Sequence, residues 1–260
     1  MRRVPLVFLA AATLAALFFA LPLLGLLLQA PWTAAPRVLG SPAAIDALRL
    51  SLIASISATA LGLLFGVPLA VVNARVHYPG RSLVRALVTL PMVLPPVVGG
   101  VALLLAFGRR GLLGAPLDAC CGVHVPFTTA AAVMAETFVA MPFLVISLEA
   151  ALRGLDPRFE EAARTLGASR WTVLRRVVLP MVGPSLAAGA VLCWARALGE
   201  FGATITFAGN LPGVTQTLPL AVYLELESSP EAAVMLSLLL LAVSLAVLVG
   251  LRGRWLEAVR

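Results

Sequence analysis

A chain of 260 residues with 61% apolar and 12% charged side chains, and a mean hydropathy of +1.02, is far too apolar for a soluble domain, where apolar content is roughly 45–50%. Its formal charge of +7 rests on nineteen arginines and no lysine, which excludes a phosphate-binding loop of the Gly-x-x-x-x-Gly-Lys-Ser/Thr type, so any ATP hydrolysis must occur on a separate chain. The arginines cluster between long apolar runs, as loops facing anionic membrane lipid and cytoplasm do, and this excludes nucleic acid as the partner.

A helix needs about 20 largely apolar residues to cross a hydrocarbon core of about 30 Å. Six segments qualify in chain order: 5–28, 50–73, 83–107, 128–152, 181–207 and 232–251. The expected fold is therefore all-α, a polytopic membrane protein of about six transmembrane helices. The first segment follows Arg2 and Arg3 as a signal peptide would, but its apolar stretch exceeds the usual 7 to 15 residues, so a retained span is expected. In the third, Pro91, Pro95 and Pro96 remove backbone donors and require a broken or kinked helix, either a packing kink or a break lining a pathway. Residues 108–127, rich in Gly, Pro and small side chains, read as a connection. The chain divides into a first span with its outer connection (1–46), a membrane domain (47–251) and a cytoplasmic tail (252–260).

Six spans place both termini on one side. Fourteen arginines fall on that side, including Arg75, Arg81, Arg85, Arg153, Arg158, Arg164 and Arg170. Four fall on the other side (Arg37, Arg49, Arg109, Arg110) and one, Arg196, lies inside a span. The excess predicts cytoplasmic termini in a cell (inner) membrane protein.

The longest connection on that side, 153–180, carries its own helix signals. Asp156 before Pro157 reads as a cap and a first helical position, with Glu160 and Glu161 where the helix dipole favours acid. Helical spacing suggests an inner face of Phe159, Ala162, Ala163 and Leu166, a bend at Gly167, and a second short helix from Ser169 to Val178. Glu161-Ala162-Ala163, then Gly167, then Val177-Val178-Leu179-Pro180 resemble the EAA loop of ABC importer permeases, in which Glu-Ala-Ala, three residues, Gly and nine residues precede Ile-x-Leu-Pro. The departure is Val for Ile. The resemblance implies a type I ABC importer transmembrane domain whose coupling helix, roughly Glu161 to Arg170, seats in a cleft of the ATPase. It gives the coupling role to Glu160, Glu161, Ala162, Ala163, Gly167, Ala168, Arg170, Leu179 and Pro180.

The fifth span continues through Arg196-Ala-Leu-Gly-Glu200-Phe-Gly-Ala-Thr204. Arg196 and Glu200 stand four apart on one helix face; either they neutralise one another, or Arg196 offers positive potential to a passing dianion while Glu200 holds it. With Gly209-Asn210-Leu-Pro-Gly-Val-Thr-Gln-Thr-Leu-Pro219 and Tyr223, this stretch resembles permeases for tetrahedral oxyanions, the molybdate/tungstate group more than the sulfate/thiosulfate group. The resemblance implies a homodimer of permease subunits, two ATP-binding subunits using ATP and Mg, an external or periplasmic oxyanion-binding protein, and no cofactor on this chain. Pro95, Pro96, Arg196, Glu200 and Thr204 are the candidate pathway residues. Hydroxyls such as Thr128, Thr129, Thr204 and Thr206 more often bond the preceding turn of their own helix.

Little else points to chemistry. Cys120, Cys121 and Cys193 fit no disulfide or zinc pattern and read as small apolar residues. His77 and His124 read as surface residues without ligand or catalytic company, and neither a nucleophile grouping nor paired intramembrane carboxylates is apparent. A secondary transporter, a channel and a membrane-embedded enzyme are the rivals; the first would need broken helices in two matching halves.

Overall fold

The computed structural model describes residues 5–257, and no strand occurs among them. Arg2, Arg3 and Arg260 of the predicted charge bias lie outside the described residues, as do the side chains of Arg252 and Arg254.

Helix α1 (Leu6–Leu28) is apolar on every side and has no buried residue. It touches the last helix, α14 (Pro230–Glu257). A short helix α2 (Ala35–Leu39) leads to Ser41, whose hydroxyl accepts the Ala44 N–H at 3.2 Å and caps α3 (Pro42–Leu61) with Pro42 in its first turn. A widened turn over Gly62–Gly66 joins α3 to α4 (Val67–Arg75), so that Pro42–Arg75 is one 34-residue helix.

The third predicted span is two helices, α5 (Arg81–Val93) and α6 (Pro96–Phe107), and neither is among the five helices long and apolar enough to cross a membrane. Pro91 stays inside α5, whereas Pro95 and Pro96 break the helix. A proline disfavours helical geometry at the residue before it, and here Leu94 (ψ 137°) and Pro95 (ψ 131°) each precede one and are both extended.

The predicted connection holds a helix of its own, α7 (Gly114–Cys121), and α8 (Thr129–Gly154) follows under a cap from Thr128, which accepts the Ala131 N–H at 3.2 Å. This is the most deeply buried of the five spans, packed by α3, α4, α11 and α12. After α9 (Arg158–Thr165) comes α10 (Arg170–Val173), and then α11 (Leu179–Leu198). The expected separate helix from Ser169 to Val178 is the first part of one 29-residue helix, Arg170–Leu198. Pro180 would crowd the carbonyl four residues back; over Leu174–Val178 the helix widens so that Leu179 N–H bonds Leu174 O instead, and it continues.

The fifth predicted span ends at Leu198 and resumes as α12 (Gly202–Phe207). Beyond it, part of what reads as an outer connection is helix α13 (Leu218–Ser228), packed on α3 and α14. The Leu218 N–H donates to Ser51 Oγ at 2.7 Å, a bond between segments 167 residues apart. Inside a membrane such interhelical bonds contribute about 0.6 kcal/mol each on average, so close packing carries most of the association. Small residues do this packing: Ala131, Ala132, Ala135 and Ala203 are fully buried between α8, α6 and α12.

Candidate functional site

Two regions bring the predicted residues together. The first is the 153–180 loop. Asp156 Oδ1 accepts the Arg158 N–H at 3.0 Å, as a cap before α9 should. At the other end the Gly167 N–H bonds Arg164 O at 2.9 Å and the Ala168 N–H bonds Ala163 O at 3.1 Å, which is the Schellman closure. It requires a left-handed residue, and Gly167 supplies it at φ +82°. Ser169 then caps the next helix by accepting the Thr172 N–H at 3.2 Å, and Arg170 opens it. Leu179 and Pro180 lie well into the continuous helix, away from the short α9.

The inward face of α9 differs from the one expected. Phe159 is 52% and Leu166 88% exposed, and Ala162 is exposed with them, while Ala163 and Ala168 pack against the core. What faces inward with Ala163 is Glu160, whose Oε1 pairs with Arg75 Nη1 at 2.7 Å and whose Oε2 lies 3.4 Å from Arg164. Helical spacing finds an apolar stripe but not the direction it faces. A carboxylate opposite the arginine that ends α4 turned the helix the other way. A cleft of ≈ 610 Å³ lies between α9, α4 and the start of the 170–198 helix, with Arg75, Glu160, Glu161, Arg164 and Arg170 in its lining.

The second region is where the two broken spans meet. Gly100 of α6 lies so close to α12 that a Cβ on it would sit 2.6 Å from Thr206 Cβ and 2.8 Å from Ala203 O. A Cβ on Gly202 would sit 2.8 Å from Pro96 Cβ, so the break at Leu94–Pro95 abuts the break at Gly199–Phe201. Glu200, 1% exposed, bridges the second break: Oε2 pairs with Arg196 Nη1 at 2.6 Å and Oε1 accepts the Ala203 N–H at 2.8 Å. One carboxylate thus holds the end of α11 and the start of α12. Thr206 bonds Gly202 O in the preceding turn, as expected of a hydroxyl in a span. Thr204 does not; its Oγ1 is buried without a hydrogen-bond partner. Thr129 reaches Val214 O at 2.9 Å and pins the start of α8 to the segment after α12.

Sequence reasoning missed Glu136 and Glu149 of α8. Glu136 is 1% exposed, its Oε2 has no hydrogen-bond partner, and it lies close enough to Glu200 for the two carboxyls to interact through space. The signal was present: an acid at position 136 inside a run of alanines, Val and Met is costly in a span unless used. One smaller correction concerns the connection. Cys120 and Cys121 are exposed at the end of α7, unlike buried Cys193, and the neighbouring Cys120 thiol raises the pKa of Cys121 above the ordinary thiol value. His124 is exposed, as expected, with Nδ1 3.1 Å from Asp118 and Nε2 3.2 Å from Arg109.

Residues 62–258 match the family described as the binding-protein-dependent transport system inner membrane component. The chain belongs to this family. The first span lies outside the matched residues. Among curated members, the chain is 48% identical to the molybdenum transport system permease protein ModB of Mycobacterium tuberculosis over 91% of its own length and 89% of that protein's. It is 40% identical to ModB of Escherichia coli over 82% and 93% of the two chains. The sulfate transport system permease protein CysT of Escherichia coli is more distant at 36%, over 87% and 83%. Among solved structures, a bacterial ABC transporter involved in import of the acidic polysaccharide alginate superposes with a TM-score of 0.74 at 20% identity, covering 97% of this chain and 95% of that one. The MetNI methionine ABC transporter superposes with a TM-score of 0.59 at 21% identity. This fold likeness, with the family match, makes the chain an ABC importer transmembrane domain, and the family places it in the inner membrane.

Proposed function

We propose that this chain is the permease subunit of an ATP-driven importer that moves the oxyanion molybdate, with tungstate as a related cargo, by alternating access. The observation that carries the cargo is 48% identity to a molybdenum permease across nine-tenths of the chain, against 36% to a sulfate permease. Two copies form the pathway, an external binding protein delivers the anion, and two ATP-binding subunits using ATP and Mg sit on the cytoplasmic face. The arginine excess supports cytoplasmic termini and a cytoplasmic α9.

The loop residues suit coupling. The exposed stripe of Phe159, Ala162 and Leu166, beside Glu161, is the face offered to the ATPase. Behind it, the Arg75–Glu160 pair ties α9 to the 34-residue second span, and the turn at Gly167 ties it to the 29-residue fifth span. A push on α9 therefore reaches two long helices that both pack on α8. At the breaks, Arg196 pairs with Glu200 through Nη1 and offers its positive potential to a passing dianion, while Glu200 fixes its position. Pro95, Pro96 and Thr204 line the same joint.

Uptake of radiolabelled molybdate by the reconstituted complex, challenged with tungstate and then sulfate, tests the cargo. Stronger competition by tungstate than by sulfate is expected; preferential competition by sulfate would favour a sulfate permease instead.

A further inference from the structure

On the same side of the molecule as α9, a cavity of ≈ 310 Å³ opens between α5 and α8. Its lining includes Asn73, Arg85, Val88, Thr89, Ile146 and Arg153. Arg85 and Arg153 share one oxygen of Glu149, with Arg153 at 2.7 Å. Arg85 also donates to Asn73 O at 3.1 Å, and Arg81 donates to the same carbonyl. Two guanidiniums thus meet on one carboxylate, Glu149, which itself lines the cavity, with Arg81 held on the neighbouring Asn73 carbonyl; Arg81 and Arg85 each keep a buried Nε donor with no hydrogen-bond partner.

The two helices run in opposite directions, so depth can be read from residue number. Val88 and Thr89 lie one turn deeper than Arg85, and Ile146 lies two turns deeper than Arg153. The cavity is cationic at its mouth and apolar below. A free oxyanion would use the mouth and leave the apolar wall bare, whereas an amphiphile uses both.

We propose that this groove binds an anionic phospholipid, its phosphate at Arg85 and Arg153 and the start of an acyl chain against Val88 and Ile146. The assignment to the cytoplasmic leaflet rests on the orientation proposed above; the site itself does not, and lipid selectivity reads it independently of topology or cargo.

The test uses the full-length permease, purified, delipidated and re-equilibrated with an equimolar mixture of phosphatidylglycerol and phosphatidylcholine, with retained lipid read by native mass spectrometry. Enrichment of phosphatidylglycerol is expected, and Arg153→Gln lowers it roughly five-fold, the equivalent of about 1 kcal/mol per interfacial arginine. Ile146→Trp fills the apolar part without touching charge and expels the lipid as well, which covers the case in which the arginine variant misfolds. Millimolar inorganic phosphate or molybdate leaves retention unchanged. Equal retention of the two lipids, variants indistinguishable from wild type, or displacement by inorganic phosphate overturns the proposal, the last by making it a free-anion site.

Discussion

The α9 loop and the joint of the two broken spans both hold an arginine–glutamate pair, and they use it in opposite surroundings. At the loop, Arg75 and Glu160 lie at the edge of the protein, 29% and 13% exposed, and leave an apolar stripe facing outward. At the joint, Arg196 is 27% exposed but Glu200 only 1%, and α8 brings a second buried carboxyl, Glu136, within electrostatic reach of it. The contrast separates a fastening from a constraint. The outer pair sets which face a helix presents, whereas the inner pair cannot lose a partner without stranding a charge.

The largest effect should come from breaking the inner pair. Glu200→Ala leaves Arg196 without its carboxylate and α12 without the Ala203 contact, and should destabilise the purified permease by about 3–5 kcal/mol in a denaturation assay. The double variant Arg196→Met/Glu200→Met should recover most of that stability, since apolar replacement of both partners is often neutral. If Arg196 attracts the anion, molybdate uptake stays lost in the stable double variant; recovered uptake would reduce the pair to mutual neutralisation.

Next comes Gly100→Ala, whose new methyl meets Thr206 Cβ and Ala203 O at 2.6 and 2.8 Å. Forcing α6 from α12 should cost about 1–3 kcal/mol, and a variant as stable as wild type would show that the breaks do not abut. Gly167→Arg imposes a side chain at φ +82°, a local strain of about 1–2 kcal/mol. Its larger consequence is at the docking face: a co-expressed ATPase should no longer co-purify or hydrolyse ATP in a substrate-dependent way. Unchanged association and coupling would remove the loop from the mechanism. Arg75→Gln should lower stability by less than about 1 kcal/mol, as partly exposed pairs do, yet reduce transport more than that loss explains. Proportionate loss of both would make Arg75–Glu160 a fastening only.

Orientation has its own readout, with no stability change expected. Cys120 and Cys121 are exposed on the side opposite the arginine-rich loops, so a membrane-impermeant maleimide should label them from outside the cell and leave buried Cys193 unmodified. Absence of outside labelling would reverse the topology.

Much of this architecture is written locally. Apolar run length marked six spans, five of which hold a helix long enough to cross, because the thickness of the hydrocarbon layer is the same for every span. Consecutive prolines marked the break before Pro96, because their constraint acts on the preceding residue whatever surrounds it. The caps of α9 and its neighbour, Asp156 and Ser169, and the turn at Gly167 are equally local. The composition of 153–180 and of 196–223 pointed to the family.

Tertiary structure decided what depends on direction and on distant partners. The stripe of Phe159, Ala162 and Leu166 has the same period whichever way it faces, and only Arg75, 85 residues before Glu160, set it outward. The five residues after Gly202, three of them apolar, read the same whether or not they continue the span, and the approach of Pro96 together with the carboxylate of Glu200 makes them a separate helix. Glu136 passed unnoticed among alanines because its meaning lies in Glu200, 64 positions away. Periodicity and residue type carry one-dimensional physics, and charge pairing across the bundle carries the rest.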